Sequence, residues 1–274
     1  MINFLHNFLP DPVLFDFFGL TVHWYGVMMV IGGLFGFWLV LKLAGFYKLD
    51  KNIFFDLLLW WVIGAIIGAR LYYVLYAWPF YQDNWLDIFK IWQGGLAVHG
   101  IILGGFLATY IYAKIKKLKF GLLADLTATG LVGAQIFGRV GNYFNQEIFG
   151  KPTDLSWGIP IEPQFRPAEF WTSSYFHPTF LYESLGNLVI LAVILLLHYK
   201  FIRKKENLNG RIFVLYLVLY SGLRFLLEFL RLDYSPVVFG FRWAQILSFL
   251  VMILGMGFLL RRVFFKKRQG QKVE

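Results

Sequence analysis

Residues 20–44 read LTVHWYGVMMVIGGLFGFWLVLKLA, an apolar run in which Lys42 is the only Lys, Arg, Asp or Glu. A stretch of about 20 apolar residues is long enough to cross the hydrocarbon core of a bilayer as a helix. Six more stretches of this kind follow it, at 53–76, 95–113, 122–137, 180–199, 212–230 and 243–260. The pattern predicts an all-α integral membrane protein with about seven transmembrane helices.

The composition supports lipid as the solvent of this chain. Hydrophobic residues make up 58% and charged residues 15% of the 274 positions, whereas soluble proteins carry about 25% charged residues. The net charge of +10 comes from short basic runs beside apolar stretches, which is typical of membrane anchors and not of a nucleic-acid surface. With no cysteine, the chain offers no disulfide, thiolate metal site or cysteine nucleophile.

The basic residues also predict an orientation. One set of alternate inter-span segments holds 18 of the 26 Lys and Arg residues and the other set holds six. Because basic loops stay in the cytoplasm, the N-terminus is expected outside and the C-terminus in the cytoplasm. We expect a single polytopic membrane domain over 1–274, with an extracytoplasmic segment at 139–179 that has its own packing or a function.

A polar stripe is predicted on the sixth span. On a helix, Tyr220, Arg224, Glu228 and Arg231 fall within an arc of roughly 80°, among neighbours that are nearly all apolar. Arg224 and Glu228 are spaced to form an ion pair. The stripe is either a self-contained salt bridge between helices or a site for an anion that balances the surplus positive charge.

A second candidate lies at the outer end of the fourth span, in Gly138-Arg139-Val-Gly141-Asn142-Tyr143-Phe-Asn145-Gln-Glu147-Ile-Phe-Gly150. Arg139 and Asn142 share a face if the helix continues through them. Arginine is suited to bidentate phosphate binding, but an arginine at a membrane interface can also simply reach towards the headgroups. The residues alone leave both interpretations open.

The third candidate is His99, in the third span. A histidine can accept and return a proton near neutral pH, but a lone histidine in a helix also commonly serves as a hydrogen-bonded packing residue. The sequence has no zinc-protease motif, no serine nucleophile motif and no carboxylate set that suggests magnesium. We therefore expect no metal and no cofactor, and the remaining residues suit the binding of a phosphorylated lipid headgroup.

At these residues the chain resembles the bacterial phosphatidylglycerol–prolipoprotein diacylglyceryl transferases over nearly its full length. The most specific match is the segment from Gly138 to Gly150, with Gln146 where glycine is common. The other matches, in chain order, are His23-Trp24-Tyr25-Gly26, Gly68-Ala-Arg70-Leu, Gly94-Gly95-Leu-Ala-Val-His99-Gly100, His177-Pro178-Thr-Phe-Leu-Tyr182-Glu183, and Tyr220 to Asp233.

The resemblance implies an enzyme of the bacterial inner membrane with its active site towards the outer face. Such an enzyme moves the sn-1,2-diacylglyceryl group of phosphatidylglycerol to the lipobox cysteine thiol of a prolipoprotein. A thioether forms and glycerol phosphate leaves. Family roles then carry over to Tyr25, His99, Arg139 and Arg224 as catalytic residues, and to Arg139, Asn142, Glu147, Gly150, Tyr220, Arg224 and Glu228 as headgroup-binding residues.

Two other functions remain open from the residues. An organic-anion transporter would also place arginines in its membrane spans, but the sequence shows no inverted repeat. A non-catalytic membrane protein that binds anionic lipids would use the same arginines to recognise headgroups. The transporter predicts flux without product, and the lipid-binding protein predicts binding without chemistry.

Overall fold

The computed structural model describes residues 2–204, 206 and 208–270, with side chains described over 5–204, 206 and 208–261. This part of the chain is mostly helical. Its α-helices are α1 Ile2–Asn7, α2 Trp24–Phe46, α3 Asn52–Tyr76, α4 Trp78–Tyr81, α5 Val98–Ile115, α6 Phe120–Phe144, α7 Thr179–Lys204, α8 Arg211–Leu227 and α9 Trp243–Gly270.

Three short antiparallel hairpins accompany the helices. β1 (Val13–Phe17) pairs with β2 (Leu20–His23), β3 (Ile159–Pro160) with β4 (Tyr175–Phe176), and β5 (Val237–Val238) with β6 (Phe241–Arg242). Single 3₁₀ turns lie at Trp85–Phe89, Ile91–Gln93, Pro163–Phe165 and Ala168–Phe170. All of these elements lie outside the long apolar helices.

Six of the helices are long and apolar enough to cross a membrane: α2, α3, α5, α6, α7 and, over Trp243–Arg261, α9. The prediction of a helical, multi-pass membrane protein is therefore confirmed. The sixth predicted span corresponds to α8, which has 17 residues and is not among these six. Seven spans and the orientation of the termini stay predictions.

Two predicted spans begin too early. Residues 20–23 form strand β2, so the first long helix begins at Trp24, whose N–H donates to the carbonyl of Pro12. At the start of the third predicted span, Gly95 and the preceding Gly94 have φ of 74° and 87°. This left-handed backbone cannot start a right-handed helix, so α5 begins at Val98.

The polar stripe is also not one continuous helix face. The helix α8 ends at Leu227, and Arg231 pairs with Gly150 in a β-bridge. Because the backbone of Arg231 forms that bridge, its side chain extends from a loop and not from the face of α8. The fourth span, in contrast, is longer than predicted, since α6 continues to Phe144 and keeps Arg139 and Asn142 on one helix.

Contacts divide the chain into two compact units. The first consists of Met1–Val40, Thr127–Asn207 and Arg211–Glu274, and the second of Leu41–Leu126 with Leu208–Gly210. The expectation of a single domain over 1–274 stays a prediction.

The second unit is built on the packing of α3 against α5. Gly68 lies against Gly100 and Gly104 so closely that an added Cβ at Gly68 would come within 2.9 Å of the Gly104 Cα. Small residues of this kind let membrane helices approach each other, because lipid offers no hydrophobic drive for association.

In the first unit, the segment between α6 and α7 has its own apolar core. Phe176 is completely buried there, and Ile159 and Ile161 are nearly so, with Tyr143 and Phe149 beside them. The core fixes the strands β3 and β4 against the C-terminal end of α6 and the N-terminal end of α7. The long segment is therefore packed structure that can hold side chains at those helix ends in place.

Candidate functional site

Two glutamates are buried in the first unit. Glu183, in the first turns of α7, and Glu228, just after α8, are each 1% exposed. A charged side chain at the membrane centre costs roughly 2.5–3.5 kcal/mol, so such groups are normally paired. Both glutamates are paired with arginines, and these pairs build the candidate site.

Glu183 is the centre of the first group. Its Oε1 lies 2.7 Å from Arg139 Nη2 and accepts a hydrogen bond of 3.0 Å from the Tyr220 hydroxyl. Its Oε2 lies 3.5 Å from Arg231 Nη1. One carboxylate thus joins α6, α7, α8 and the loop after α8.

Glu228 is the centre of the second group. Its Oε2 lies 2.9 Å from Arg224 Nη2, which is the ion pair expected from their spacing, and its Oε1 lies 2.9 Å from Arg242 Nε. These contacts are ionic, since neither oxygen has a well-aligned hydrogen bond in the described part of the chain. Arg242 comes from β6, directly before α9.

Arg231 and Asp233 connect the two groups. Arg231 Nε donates to Asp233 Oδ1 at 2.7 Å and lies 4.0 Å from Glu228 Oε2. Arg242 donates to the main-chain carbonyls of Arg231 and Asp233. Burial acts to raise the pKa of Asp233, but the hydrogen bond and charge of Arg231, with the charges of Arg224 and Arg242, lower it below its usual value.

A chain of side chains leads from Arg139 to Glu147. Arg139 Nη1 donates to Asn142 Oδ1 at 3.1 Å, and Asn142 Nδ2 donates to Glu147 Oε1 at 2.8 Å. Asn142 thus lies between Arg139 and Glu147, and Glu183 is the direct partner of Arg139.

The charges nearly balance, contrary to the surplus inferred from three residues. Four arginines and three carboxylates are joined by ion pairs, and Glu147 adds a fourth carboxylate through Asn142. A bound anion is therefore not required by charge count. Anion binding is favoured instead by the accessibility of two arginines. The side chains of Arg139 and Arg224 remain 21% and 20% exposed while their glutamates are buried.

Gly150 and Tyr25 have more local positions. An added Cβ at Gly150 would lie 2.8 Å from Thr179 Cγ2 and 2.9 Å from His177 Cβ, so the glycine permits close packing beside the bridge to Arg231. Tyr25, at the start of α2, lies against Gly141, where an added Cβ would come within 2.9 Å of its ring. Tyr25 is thus held next to the turn of α6 that carries Arg139 and Asn142.

His99 belongs to the second unit. It is the second residue of α5, it is exposed, and its ring stacks on Tyr72 with centroids 5.5 Å apart. The sequence placed it well inside a span, but the late start of α5 puts it in the first helical turn. Its predicted role as a base stays a prediction.

A cavity of about 530 Å³ opens beside the cluster in the first unit. Its lining includes Glu147 and Asp233, one from each end of the polar network, together with Pro12, Phe165 and Pro167. Molecules on this side of the protein can therefore reach carboxylates that are linked to Arg139 and Arg231. Among the described residues, no group of three or more His, Cys, Asp or Glu could hold a metal ion.

Sequence reasoning missed the central residues of the network. Glu183 appeared only within the matching segment that begins at His177 and was given no role, and Arg242 was not singled out. Glu183 lies one turn into a membrane helix, and an acidic residue there is itself a signal. Arg242 carried no such signal, because it lies in the short strand β6 and meets Glu228 only in the folded protein.

Comparisons with known proteins identify the family of this chain. Residues 12–261 match the model of the family described as "Prolipoprotein diacylglyceryl transferase". A phosphatidylglycerol–prolipoprotein diacylglyceryl transferase of Acaryochloris marina (strain MBIC 11017) is 44% identical over 247 residues, covering 90% of this chain and 89% of the relative. The enzyme of the same name from Listeria welshimeri is 39% identical over 254 residues, covering 92% and 90%. The chain belongs to the prolipoprotein diacylglyceryl transferase family.

Proposed function

We propose that this chain transfers the sn-1,2-diacylglyceryl group of phosphatidylglycerol to the lipobox cysteine thiol of prolipoproteins. The names of its relatives support this reaction. The structural observation that carries it is the pair Arg139 and Arg224, each anchored by a buried glutamate and each still one-fifth exposed. Such a pair is preorganised to bind a phosphate without reorganising during the reaction.

The chemistry fits two anchored arginines. The thiolate sulfur attacks a glyceryl carbon, the sulfur–carbon bond forms, and the carbon–oxygen bond to phosphate breaks. The electron pair of that bond goes to the departing glycerol phosphate, and the thiol proton goes to a base. Negative charge therefore builds on the phosphate, where Arg139 and Arg224 stabilise it.

The other residues of the site support this pair. Glu183 and Glu228 fix the arginines, Asn142 adds an amide next to Arg139, and Glu147 orients Asn142. In this proposal the hydroxyl of Tyr25 donates to a phosphate or glycerol oxygen. The hydroxyl of Tyr220 donates its proton to Glu183, so towards the lipid it offers only an acceptor oxygen. Gly150 contributes through its backbone, which holds the loop that carries Arg231.

We further propose that α8 is a seventh membrane span. Its 17 residues correspond to roughly 25 Å of helix, and the turn at 228–230 extends it towards the roughly 30 Å of a hydrocarbon core. We also propose that the N-terminus lies outside, the C-terminus in the cytoplasm and the charge cluster at the outer face of the bacterial inner membrane. The excess of Lys and Arg in the segments expected to be cytoplasmic supports this orientation.

Product analysis tests the reaction directly. Purified protein in micelles is incubated with phosphatidylglycerol and a synthetic lipobox peptide that contains one cysteine, and mass spectrometry follows the peptide. We expect a diacylglyceryl adduct on sulfur. Lipid binding without an adduct, by correctly folded protein, would instead support the lipid-binding alternative, and flux of an organic anion across vesicles would support the transporter.

The proposed base has its own test. A free thiol has a pKa of about 8.5 and is only a few per cent ionised at neutral pH, so a base that removes its proton should accelerate the reaction. We propose His99 for this role, and we expect His99→Gln to lower the rate and change its dependence on pH. An unchanged pH profile in this variant excludes His99 as the base.

A further inference from the structure

A second set of polar residues lies beneath the ion-pair network of the first unit. Each of the helices α6, α7 and α8 carries a further polar residue four positions away from a network residue, in the direction of the helix interior. Four residues are one helical turn, or about 6 Å. This inner polar layer consists of Gln135, Asn187 and Tyr216, one turn below Arg139, Glu183 and Tyr220 respectively.

Two members of the layer are joined to each other. The Tyr216 hydroxyl donates to Gln135 Oε1 at 3.3 Å, and the Tyr216 ring stacks on Tyr220 with centroids 5.7 Å apart and planes 21° from parallel. The inner polar layer is thus in direct contact with the charged layer. It contains no charged side chain, in contrast to the layer above it.

Asn187 is the exceptional member. It is completely buried, and neither its Oδ1 nor its Nδ2 has a hydrogen-bond partner in the described part of the chain. Ser184, on the same buried face of α7, does have one, since it donates to the Ile136 carbonyl at 3.0 Å. A buried polar group without a partner raises the free energy of a folded membrane protein. The Asn187 amide therefore offers one donor group and one acceptor to a ligand.

The position of the Asn187 amide, one turn from Glu183, indicates the chemical class of the ligand. In a glycerophospholipid, the ester oxygens of the glyceryl backbone lie a few bonds below the phosphate and above the acyl chains. We infer that the inner polar layer binds this ester-linked backbone, with Asn187 Nδ2 donating to an ester carbonyl oxygen. The inference rests on the proposed function, which puts the phosphate one turn higher at Arg139 and Arg224.

A pair of lipids that differ only in their linkages tests the inference. The detergent-solubilised full chain is titrated with a diester phosphatidylglycerol and with its diether analogue, which lacks the carbonyl oxygens. One hydrogen bond corresponds to about a tenfold difference in affinity. We expect the wild type to bind the diester about tenfold more tightly, and Asn187→Leu to bind both lipids with the affinity that the wild type has for the diether.

Two controls separate binding from folding. Asn187→Leu removes an amide that has no hydrogen-bond partner among the described residues, so the thermal stability of the variant should equal or exceed that of the wild type. Ser184→Ala removes a satisfied hydroxyl from the same face and should leave the diester preference unchanged.

Several outcomes would overturn the inference. They are equal affinities of the wild type for the two lipids, an equal loss for both lipids in Asn187→Leu, or a clear loss of stability in that variant. The second of these would mean that Asn187 holds only a buried water. Adduct formation is measured in parallel, so a protein that prefers the diester but makes no adduct would refute the transfer reaction and leave the ester site standing.

Discussion

Arg70 and the pair Arg139 and Arg224 show two ways to place an arginine in a membrane protein. Arg70 is 6% exposed, and in the described part of the chain its guanidinium donates only to main-chain carbonyls, including those of Ile88 at 2.7 Å and Gly94 at 2.7 Å. Arg139 and Arg224 instead pair with buried glutamates and remain one-fifth exposed. The residue type is the same, but the environments differ in charge and in access.

We propose that this difference separates a structural arginine from two functional ones. Arg70 also donates to the carbonyls of Asp87, Lys90 and Gly95, so the donors on all three of its nitrogens are used to hold the segment that leads into α5. Arg224, in the described part of the chain, makes a single ion pair, and a guanidinium carries five N–H donors. Arg224 therefore has donors left for a phosphate, and Arg70 has none.

The largest effect is expected from removal of the exposed pair. Arg139→Ala and Arg224→Ala should each lower the rate of adduct formation by at least about 10²–10³-fold, since each takes away a charge that stabilises the leaving phosphate. Both variants should still fold, because Glu183 keeps Arg231 and Glu228 keeps Arg242 as partners. Initial rates and size-exclusion profiles test this, and a near-normal rate in either variant would disprove the phosphate clamp.

The next effect concerns the carboxylate that anchors Arg224. Glu228→Gln leaves Arg224 and Arg242 without their shared partner, and breaking a buried ion pair typically costs about 3–5 kcal/mol. We expect lower thermal stability together with loss of activity. Glu206→Gln is the matched control, because Glu206 and Arg211 are 3.6 Å apart and about one-third exposed, where an ion pair contributes little. Equal effects of the two substitutions would contradict the special position of Glu228.

A smaller effect is expected at Arg70. Arg70→Met removes all of the hydrogen bonds to the segment at 87–95, so this segment should exchange its amide hydrogens faster and the thermal midpoint should fall. Arg70→Lys should be nearly as harmful, because a lysine keeps the charge but cannot reproduce the planar fork. The rate of adduct formation per folded molecule should change less than in Arg224→Ala. Full rescue by lysine would mean that charge, and not geometry, matters here.

The sequence predicted what depends on local spacing. Hydropathy located the starts of α2, α3 and α5 to α9 within about four residues, and the spacing of Arg224 and Glu228 predicted their ion pair. The boundaries failed where backbone conformation decides, as at Gly94 and Gly95. The Glu183 network could not be predicted, because Glu183 pairs with Arg139, 44 positions earlier in the chain, and with Arg231, 48 positions later. Such contacts exist only after the helices pack.

The smallest effect, at Asp233, tests whether the network is electrostatic at its exposed edge. The pKa of Asp233 is lowered in the folded protein, chiefly through Arg231 against the opposing effect of burial. A carboxylate with a lowered pKa stabilises the fold above its unfolded pKa of about 3.9 and loses that contribution as the pH falls through its folded pKa. Asp233→Asn should therefore lower the thermal midpoint at neutral pH.

This deficit should shrink as the pH falls below the unfolded pKa of about 3.9 and through the lower folded pKa, where Asp233 of the wild type is itself protonated. Thermal unfolding in detergent from pH 7 to pH 3 measures it, with Asp154→Asn as a control for the loss of an exposed carboxylate. A deficit that is constant across this range would mean that Asp233 acts through shape and hydrogen bonding alone. The outer edge of the cluster would then resemble the neutral environment of Arg70 more than the charged environment of Arg139.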